Sequence, residues 1–449
     1  MKPVFFVYKE MKVYKFGGTS VGSAERFRAL VPLINDDTQK IVVLSAMAGT
    51  TNALVEMSEL FSAGKKIEAR KKCGALRKHY HSVIGELFAS VTWSEKAKDL
   101  VDEHFDYIAG LFSREYSRHN EKRILARGEL ISTALLHFFL SETGIESKLL
   151  PALNFMRIDK DGEPDYFYIR ENLKREMATV NDEKIIITQG FICRNVFGET
   201  DNLRRGGSDY SATIIGAALG ADEVQIWTDI SGFRNNDPRY VENTSVIREL
   251  SFDEAAELAY FGAKILHPSS VNPARLKKIP VRLKNTLDPS DEGTLITAES
   301  KPEDYKAVAA KDGIIVVRIK SDRMLQAYGF MGRIFDVFES FKTPIDMITT
   351  SEVAVSLTID EPAYLSDIIK ALEKLGTVEV EQEQTIICVV GDFRTGRVGS
   401  APEIFEALDT IPVKMISYGG SDNSVSILID TKNKIEALKA LSNKLFPAI

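Results

Sequence analysis

The last third of the chain repeats itself, and that repeat limits the folds open to it. Ile334-Phe335-Asp336-Val337-Phe338-Glu339 is echoed by Ile404-Phe405-Glu406-Ala407-Leu408-Asp409. Pro344-Ile345-Asp346-Met347-Ile348 is echoed by Pro412-Val413-Lys414-Met415-Ile416, and Val355-Ser356-Leu357-Thr358-Ile359-Asp360 by Val425-Ser426-Ile427-Leu428-Ile429-Asp430. The offsets are 70, 68 and 70 residues, so three blocks run in register. Each copy reads strand, helix, strand, strand, helix and a final strand, the ferredoxin-like βαββαβ order. One such unit leaves a sheet face or edge open, so two copies predict a side-by-side pair. The first copy is placed at 313–384 and the second at 385–449, the second borrowing a strand from 305–311. A duplicated structural module satisfies this pattern, but a small-molecule sensing pair attached to an enzyme fits it better.

Upstream the pattern changes. Lys12 to Phe16, Ile41 to Leu44, Lys184 to Thr188, Val224 to Thr228 and Val281 to Lys284 are short apolar runs of the kind buried parallel strands show. Between them lie helical spacings: Ser23 to Ile34 with Ser23 as N-cap, Ala53 to Phe61, two or three charged helices over 65–123, Glu129 to Leu140, the small-residue run Ser208 to Leu219, and Phe252 to Ile265. Strands alternating with helices predict an α/β domain, a mainly parallel sheet between helical layers, over residues 11–300. Val281 to Lys284 is its last expected strand, and Ser300-Lys301-Pro302-Glu303-Asp304 is a hydrophilic linker to the repeats.

A chain of 449 residues fits two to four domains. The 57 basic and 64 acidic side chains give a net charge of -7, without the basic excess of a nucleic-acid binder. Cys73, Cys193 and Cys388 are far apart and form no C-x-x-C, as in a cytoplasmic protein with reduced thiols. His79 and His81 have no partner at metal-ligand spacing, so no metal site is expected. No run approaches about 18 uninterrupted apolar residues, so no membrane span is expected. Val4 to Tyr8 is too short for a signal sequence, and Met1 to Glu10 reads as a tail or a misassigned start.

Four segments carry chemistry. Lys15-Phe16-Gly17-Gly18-Thr19-Ser20 puts two glycines after a strand, where backbone N–H groups can approach an anion, with a helix start and a lysine beside them. An ordinary strand-to-helix loop reads the same way, and the Walker pattern is absent. Leu203-Arg204-Arg205-Gly206-Gly207-Ser208-Asp209 opens a helix with paired glycines, behind two arginines able to grip a carboxylate. Trp227-Thr228-Asp229, with Asn236-Asp237-Pro238-Arg239 beyond, sits at a strand's carboxyl end, where open α/β sheets bind ligands. Phe261-Gly262-Ala263-Lys264-Ile265-Leu266-His267-Pro268 sets Lys264 beside small residues, with His267 reading as structural. Separately, Glu129 in Arg127-Gly128-Glu129-Leu130 is either a carboxylate for a substrate ammonium or a helix-dipole residue.

Lys15-Phe16-Gly17-Gly18-Thr19-Ser20-Val21, Ser45-Ala46-Met47-Ala48-Gly49-Thr50-Thr51-Asn52, Arg205-Gly206-Gly207-Ser208-Asp209 and Phe261 to Pro268 resemble, in the same order, the signatures of the aspartate kinase family. The resemblance spans nearly the whole chain, and the paired repeats are similar to ACT domains. It implies an amino-acid-kinase fold and the reaction of ATP and L-aspartate to ADP and 4-phospho-L-aspartate. That is a transfer to a carboxyl acceptor and the first step from aspartate towards lysine, threonine and methionine. It implies that Lys15, Gly17, Gly18 and Asp209 surround the transferring phosphoryl group. Ser45, Thr51, Glu129, Phe191, Arg205 and Ser208 would hold aspartate. Thr228, Asp229, Arg239 and Lys264, with Lys15 and Gly18, would serve ATP, whose Mg2+ is held mainly by phosphates and water. Arg204 stands where the family commonly has glycine, Arg127 where it has histidine, and Arg234 where a tyrosine is frequent.

In the repeats, Met324, Gly329-Phe330, Ile345-Asp346 and Thr350-Ser351-Glu352 resemble the effector site of lysine-sensitive members, with Ala327 in place of a frequent serine. Asp346 and Glu352 suit an effector's ammonium groups, Ser351 stands between them in that motif, and backbone N–H groups near Met324 and Phe330 suit its carboxylate. The resemblance implies feedback by an amino acid, lysine first, and a homodimer or higher homo-oligomer through the ACT domains. The repeats run to the last residue, so no fused dehydrogenase is expected. Another carboxylate kinase of the same fold and a catalytically silent amino-acid sensor are the rival readings.

Overall fold

Parallel strand pairing organises the first two thirds of the chain. The computed structural model describes residues 11–203, 206–262, 265–321, 324, 328–394 and 400–447, so the reading of Met1 to Glu10 lies outside the described residues. The chain divides into two compact units: Met1–Gly232, Arg248–Phe252 and Leu266–Ser300 form one, and Phe233–Ile247, Asp253–Ile265 and Lys301–Ile449 form the other.

In the first unit the strands are β1 (Met11–Phe16), β2 (Gln39–Leu44), β3 (Ser147–Leu149), β4 (Ile185–Gln189), β5 (Ile192–Arg194), β6 (Thr200–Asn202), β7 (Glu223–Thr228), β8 (Glu249–Ser251), β9 (Val281–Asn285) and β10 (Thr294–Thr297). The helices are α1 (Ala24–Ile34), α2 (Thr50–Ser62), α3 (Lys66–Leu87), α4 (Val91–Leu111), α5 (Arg118–Leu125), α6 (Arg127–Glu142), α7 (Tyr166–Met177), α8 (Gly207–Leu219) and α10 (Asn272–Lys277), with α9 (Phe252–Tyr260) leading into the second unit. Eight strands form one sheet in the order β3-β4-β2-β1-β7-β9-β10-β8, parallel except at the β9–β10 pair. β5 and β6 make a separate antiparallel pair.

β1 lies between β2 and β7, so the chain order reverses beside it. Open α/β sheets bind ligands outside the carboxyl ends of strands at such a reversal. β2 is buried from Lys40 onward and β4 throughout, as the continuous apolar runs require. Ser23 caps α1 by accepting from Arg26 N at 3.3 Å. In α8, Gly216 leaves room for the sheet, since a Cβ there would lie 2.6 Å from Val224 Cγ2.

The helical run Arg118–Glu142 is long and apolar enough to cross a membrane by length and composition. However, 67% of its most apolar window is buried inside the unit, among the residues of the main core. It is a core helix carrying Glu129. Cys73, Cys193 and Cys388 are all buried and free, and burial raises the Cys73 thiol to about 11.

The second unit holds β11 (Tyr305–Lys320), α11 (Phe330–Ser340), β12 (Ile348–Thr350), β13 (Ala354–Ile359), α12 (Leu365–Leu372), β14 (Thr377–Gly391), α13 (Ser400–Ala407), β15 (Val413–Ser417), β16 (Ser424–Asp430) and α14 (Lys434–Leu445). These strands form one antiparallel sheet, β12-β13-β11-β14-β16-β15. Each of the two long strands serves both repeats. Ile315–Lys320 pairs with β13, while Tyr305–Asp312 pairs with Thr385–Gly391 of β14, which in turn pairs with β16. The register shifts between Asp312 and Ile314, where Gly313 has a φ of 78°. Two hydrophobic clusters result, one around Ile334, Leu357 and Ile368, the other around Ile404, Ile427 and Leu438.

Some elements differ from the periodicity. The helix expected to reach Ile265 ends at Tyr260, because Gly262 has a φ of 135° and a Cβ there would lie 2.3 Å from Ala310 O. β10 follows the strand expected to be last, and β3 and β8 escape notice at three residues each. Residues 233–247 and 253–265 pack with the repeats: Asn236 Nδ2 donates to Leu438 O at 3.0 Å and Val308 N to Asn235 O at 2.8 Å. Lys306 and Glu254 form an ion pair of 3.0 Å with side-chain exposures of 0% and 7%.

Removing one member of a buried ion pair costs about 3–5 kcal/mol. Lys306→Met is therefore expected to lower unfolding free energy by about that amount in denaturant titrations.

Candidate active site

At the carboxyl ends of β1, β2, β4 and β7, four loops converge. Gly17 N donates to Trp227 O at 3.3 Å, Ser45 N to Phe16 O at 3.1 Å, and Ala48 N to Gly18 O at 3.0 Å. Close approach explains the small residues. A Cβ on Gly18 would lie 2.8 Å from Ala46 O, and one on Gly128 2.6 Å from Ala46 Cβ. The loop after β2 is therefore clamped between the glycines after β1 and the start of α6. Ser132 Oγ, one turn into α6, also donates to Ser45 O at 2.8 Å.

This clamp inserts Glu129 into the interior. The residue is 3% exposed and accepts from Ala46 N at 3.2 Å. Burial raises its carboxyl to about 8. Such a group is held ready to ionise against a cation.

On the other side of β1, Lys15 Nζ forms a 2.8 Å ion pair with Asp209 Oδ1, in the first turn of α8. Both side chains are largely buried, at 12% and 13% exposure. The start of α8 depends on its glycines. Gly206 is left-handed at φ 73°, and a Cβ on Gly207 would lie 2.6 Å from Phe191 Cδ2. Phe191 itself has a φ of 65°, an uncommon backbone for a bulky residue, and its N–H is held by Ser211 Oγ at 2.9 Å.

A cavity of about 380 Å³ opens here, lined by Ser45, Thr51, Glu129, Phe191 and Ser208 with Gly206 and Gly207. Five of the six residues expected to hold the acceptor thus meet in one cavity. The sixth, Arg205, lies outside the described residues, as does Arg204. The unpaired N–H groups of a helix start are suited to an anion. Leu203, from the segment that opens α8, also lines it, together with Lys122, Leu125 and Asn202, which were not anticipated. Lys122 and Leu125 belong to α5, which reads in sequence as scaffold. Asn202 belongs to the short β5–β6 hairpin, which has no turn signature strong enough to mark it. Lys122 pairs with Asp201 at 3.2 Å.

Of the residues expected on the nucleotide side, Thr228 ends β7 next to β1, and its Oγ1 donates to Asp229 Oδ1 at 3.0 Å. Thr286 Oγ1 donates to Thr228 O at 2.9 Å, fixing that strand end. Arg239 belongs to the second unit, where it is 73% exposed and paired with Asp237 at 2.6 Å. Lys264 lies outside the described residues. His267 accepts from Ser269 N at 3.3 Å, a capping arrangement that fits its structural reading.

Among the residues expected to bind an effector, Phe330 is buried in the core of the first repeat and Met324 packs against it. Ser351 and Glu352 are exposed. The Asp346 carboxylate is not open to solvent: it pairs with Lys311 at 3.0 Å and accepts from Tyr260 Oη. Lys311 also pairs with Asp360 at 2.9 Å. Asp346 Oδ2 is buried and makes no hydrogen bond among the described residues. Ala327 lies outside the described residues. Arg127, where the family commonly has histidine, lies with its guanidinium 3.9 Å from the Tyr107 ring centroid. Arg234, where a tyrosine is frequent, donates to Thr244 O at 2.8 Å.

Residues 10–285 match the amino acid kinase family, and residues 387–445 match the ACT domain. The chain is 32% identical to lysine-sensitive aspartokinase 3 of Escherichia coli, over 97% of this chain and 99% of that one. It is 30% identical to the chloroplastic aspartokinase 2 of Arabidopsis thaliana, over 97% of this chain and 84% of that one. Among solved structures, E. coli aspartokinase III in complex with aspartate and ADP, in the R-state, matches with a TM-score of 0.82 at 32% identity, covering 97% of this chain and 100% of that one. The same enzyme in complex with lysine and aspartate, in the T-state, matches with a TM-score of 0.80 at 32% identity, covering 98% and 100%.

Burial gives Glu129 a folded-state pKa above its unfolded value, so its contribution to stability is present below about pH 4.5 and is lost as pH rises through about 8. Glu129→Gln removes the titration while keeping the shape. The variant is expected to gain on the parent by a few kcal/mol between pH 6 and 9 in denaturant titrations, with the difference shrinking towards pH 5.

Proposed function

The chain belongs to the aspartokinases of the amino acid kinase family, and from that membership we propose how its residues carry the transfer of a phosphoryl group from ATP to the side-chain carboxylate of L-aspartate. One observation carries the assignment. The cavity that holds the buried Glu129 also holds the glycine-opened start of α8, whose first turn bears Asp209 paired with Lys15. It joins a carboxylate poised for an ammonium to a helix start and a lysine poised for anions.

Aspartate enters this cavity with its ammonium against Glu129, which ionises as the cation arrives. Ser45, Thr51, Ser208 and Arg205 take its carboxylates, and Phe191 walls the space. The γ-phosphate of ATP approaches along the glycines after β1, with Lys15 and the N–H groups of Gly17 and Gly18 offsetting charge. The nucleotide extends along Thr228 and Asp229. Magnesium travels on the phosphates and water. The acceptor carboxylate is already ionised near neutral pH, so no general base is required. An oxygen of that carboxylate bonds to the γ-phosphorus as the bond to the β-phosphate oxygen breaks. The products are 4-phospho-L-aspartate and ADP. What the protein supplies is position and charge stabilisation. Asp209 holds the Lys15 ammonium in place.

ADP release from ATP and magnesium is expected to depend on L-aspartate and to remain near background with glutamate. Lys15→Ala is expected to lower kcat by about 100-fold or more. Absence of aspartate-dependent turnover would favour the silent-sensor reading, and full activity in Lys15→Ala would remove its phosphate role.

The same proposal extends to control. Lysine binds the first ferredoxin-like repeat, its carboxylate at the backbone near Met324 and Phe330 and its ammonium groups at Ser351, Glu352 and Asp346. The protein assembles as a homo-oligomer through these repeats. The buried Oδ2 of Asp346, without a hydrogen-bond partner among the described residues, supports this reading, since Lys311 and Tyr260 engage Oδ1. Lysine titrated from micromolar to millimolar is expected to inhibit turnover, and Asp346→Asn to raise the half-inhibiting concentration by about tenfold. A flat response with the folded parent protein would overturn it.

A further inference from the structure

The buried carboxamides Gln189 and Asn202 differ in one respect. Gln189, at the end of β4, is fully engaged: its Oε1 accepts from Ala152 N at 2.8 Å and its Nε2 donates to Thr133 Oγ1 at 2.8 Å. Asn202, at the end of β6, is 5% exposed, and neither its Oδ1 nor its Nδ2 has a hydrogen-bond partner among the described residues. Its backbone is occupied, with N–H donating to Asp201 Oδ1 at 2.7 Å and the strand in register with Ile192. The Asp201 carboxylate is in turn held by Lys122 at 3.2 Å.

A buried amide left unpaired is disfavoured, and native structures rarely keep one without a use. Asn202 lines the same cavity as Ser45, Thr51, Glu129, Phe191 and Ser208. We propose that Asn202 contacts the amino-acid acceptor directly, with Nδ2 donating to a carboxylate oxygen and Oδ1 accepting from the ammonium group. This deepens the aspartate reading above and rests on it.

The carboxamide suits the place. A zwitterionic amino acid offers both donors and acceptors, and an amide answers both without adding charge. A carboxylate at the same position would add an anion to a cavity that already holds Glu129 and must admit the acceptor's own carboxylates. An aliphatic side chain would leave the substrate's polar groups unanswered on that wall.

The test is steady-state kinetics of the full chain with aspartate and ATP varied in turn, for the parent, Asn202→Ala and Asn202→Asp. Thermal unfolding is followed with nucleotide alone and with aspartate. Asn202→Ala is expected to raise the KM for aspartate by about 10- to 100-fold and Asn202→Asp by more, with the KM for ATP within about twofold of the parent. The nucleotide-induced rise in Tm is expected to persist and the aspartate-induced rise to be lost. A KM for aspartate within about twofold of the parent in both variants would overturn the proposal. A parallel rise in the KM for ATP would also overturn it, since that marks a structural role in the hairpin. Should Asn202→Ala lose nucleotide protection, Asn202→Ser carries the same test. A parent protein with no aspartate-dependent turnover would overturn the aspartate reading beneath the proposal.

Discussion

Lys15 and Asp209 meet 2.8 Å apart although 193 residues separate them, and the site of the first unit depends on that meeting. It follows from the sheet. β1 is flanked by β2 on one side and β7 on the other, so the loop after β1 faces the end of each neighbour. α8 runs into β7 and therefore starts at the same edge. Its first turn brings Asp209 to Lys15, and its N–H groups face the space beside Phe191. A pair this enclosed loses much of its solvation, and its members hold each other in position. For a reaction that joins two anions, a fixed cation beside a helix start serves where a general base would be idle.

Glu129 is the counterpart on the side of the cavity proposed for the acceptor. Its burial opposes stability at neutral pH, since a carboxyl raised to about 8 is stabilised in its protonated form. The fold accepts this because Gly128 lets α6 press against Ala46, whose N–H partly answers the carboxylate. A group strained in this way without ligand gains most when an ammonium arrives, which ties the cost in stability to binding.

Much of this was legible in the sequence because it rests on residues whose type is dictated locally. Glycine at 18, 206 and 207 and apolar runs in β1, β2, β4 and β7 follow from backbone approach, a left-handed backbone and burial. The 70-residue offset in the repeats marks the ferredoxin-like pair, since each repeat keeps its own apolar pattern. Other features depend on tertiary placement and leave no local trace. Tyr260 ends its helix because Gly262 must pass Ala310 O, a contact 48 residues away. Residues 233–247 look like part of the α/β domain until Asn236 reaches Leu438 O. Lys122 reads as one charge among many on its helix, and Asn202 carries no signal at all, until the cavity places them with Glu129. Asp346 reads as a partner for an effector's ammonium group, while Lys311 and Tyr260 already engage it in the fold.

The central claim is that one cavity delivers the γ-phosphate to the side-chain carboxylate of aspartate. The most direct measurement is to identify the bond that forms. The protein is incubated with ATP, magnesium, L-aspartate and hydroxylamine, which converts an acyl phosphate to a hydroxamate, and the trapped product is identified by mass spectrometry. The β-hydroxamate of aspartate, accumulating in step with ADP, is the expected result. ADP release without that hydroxamate would contradict the account, because the phosphoryl group would then have gone elsewhere.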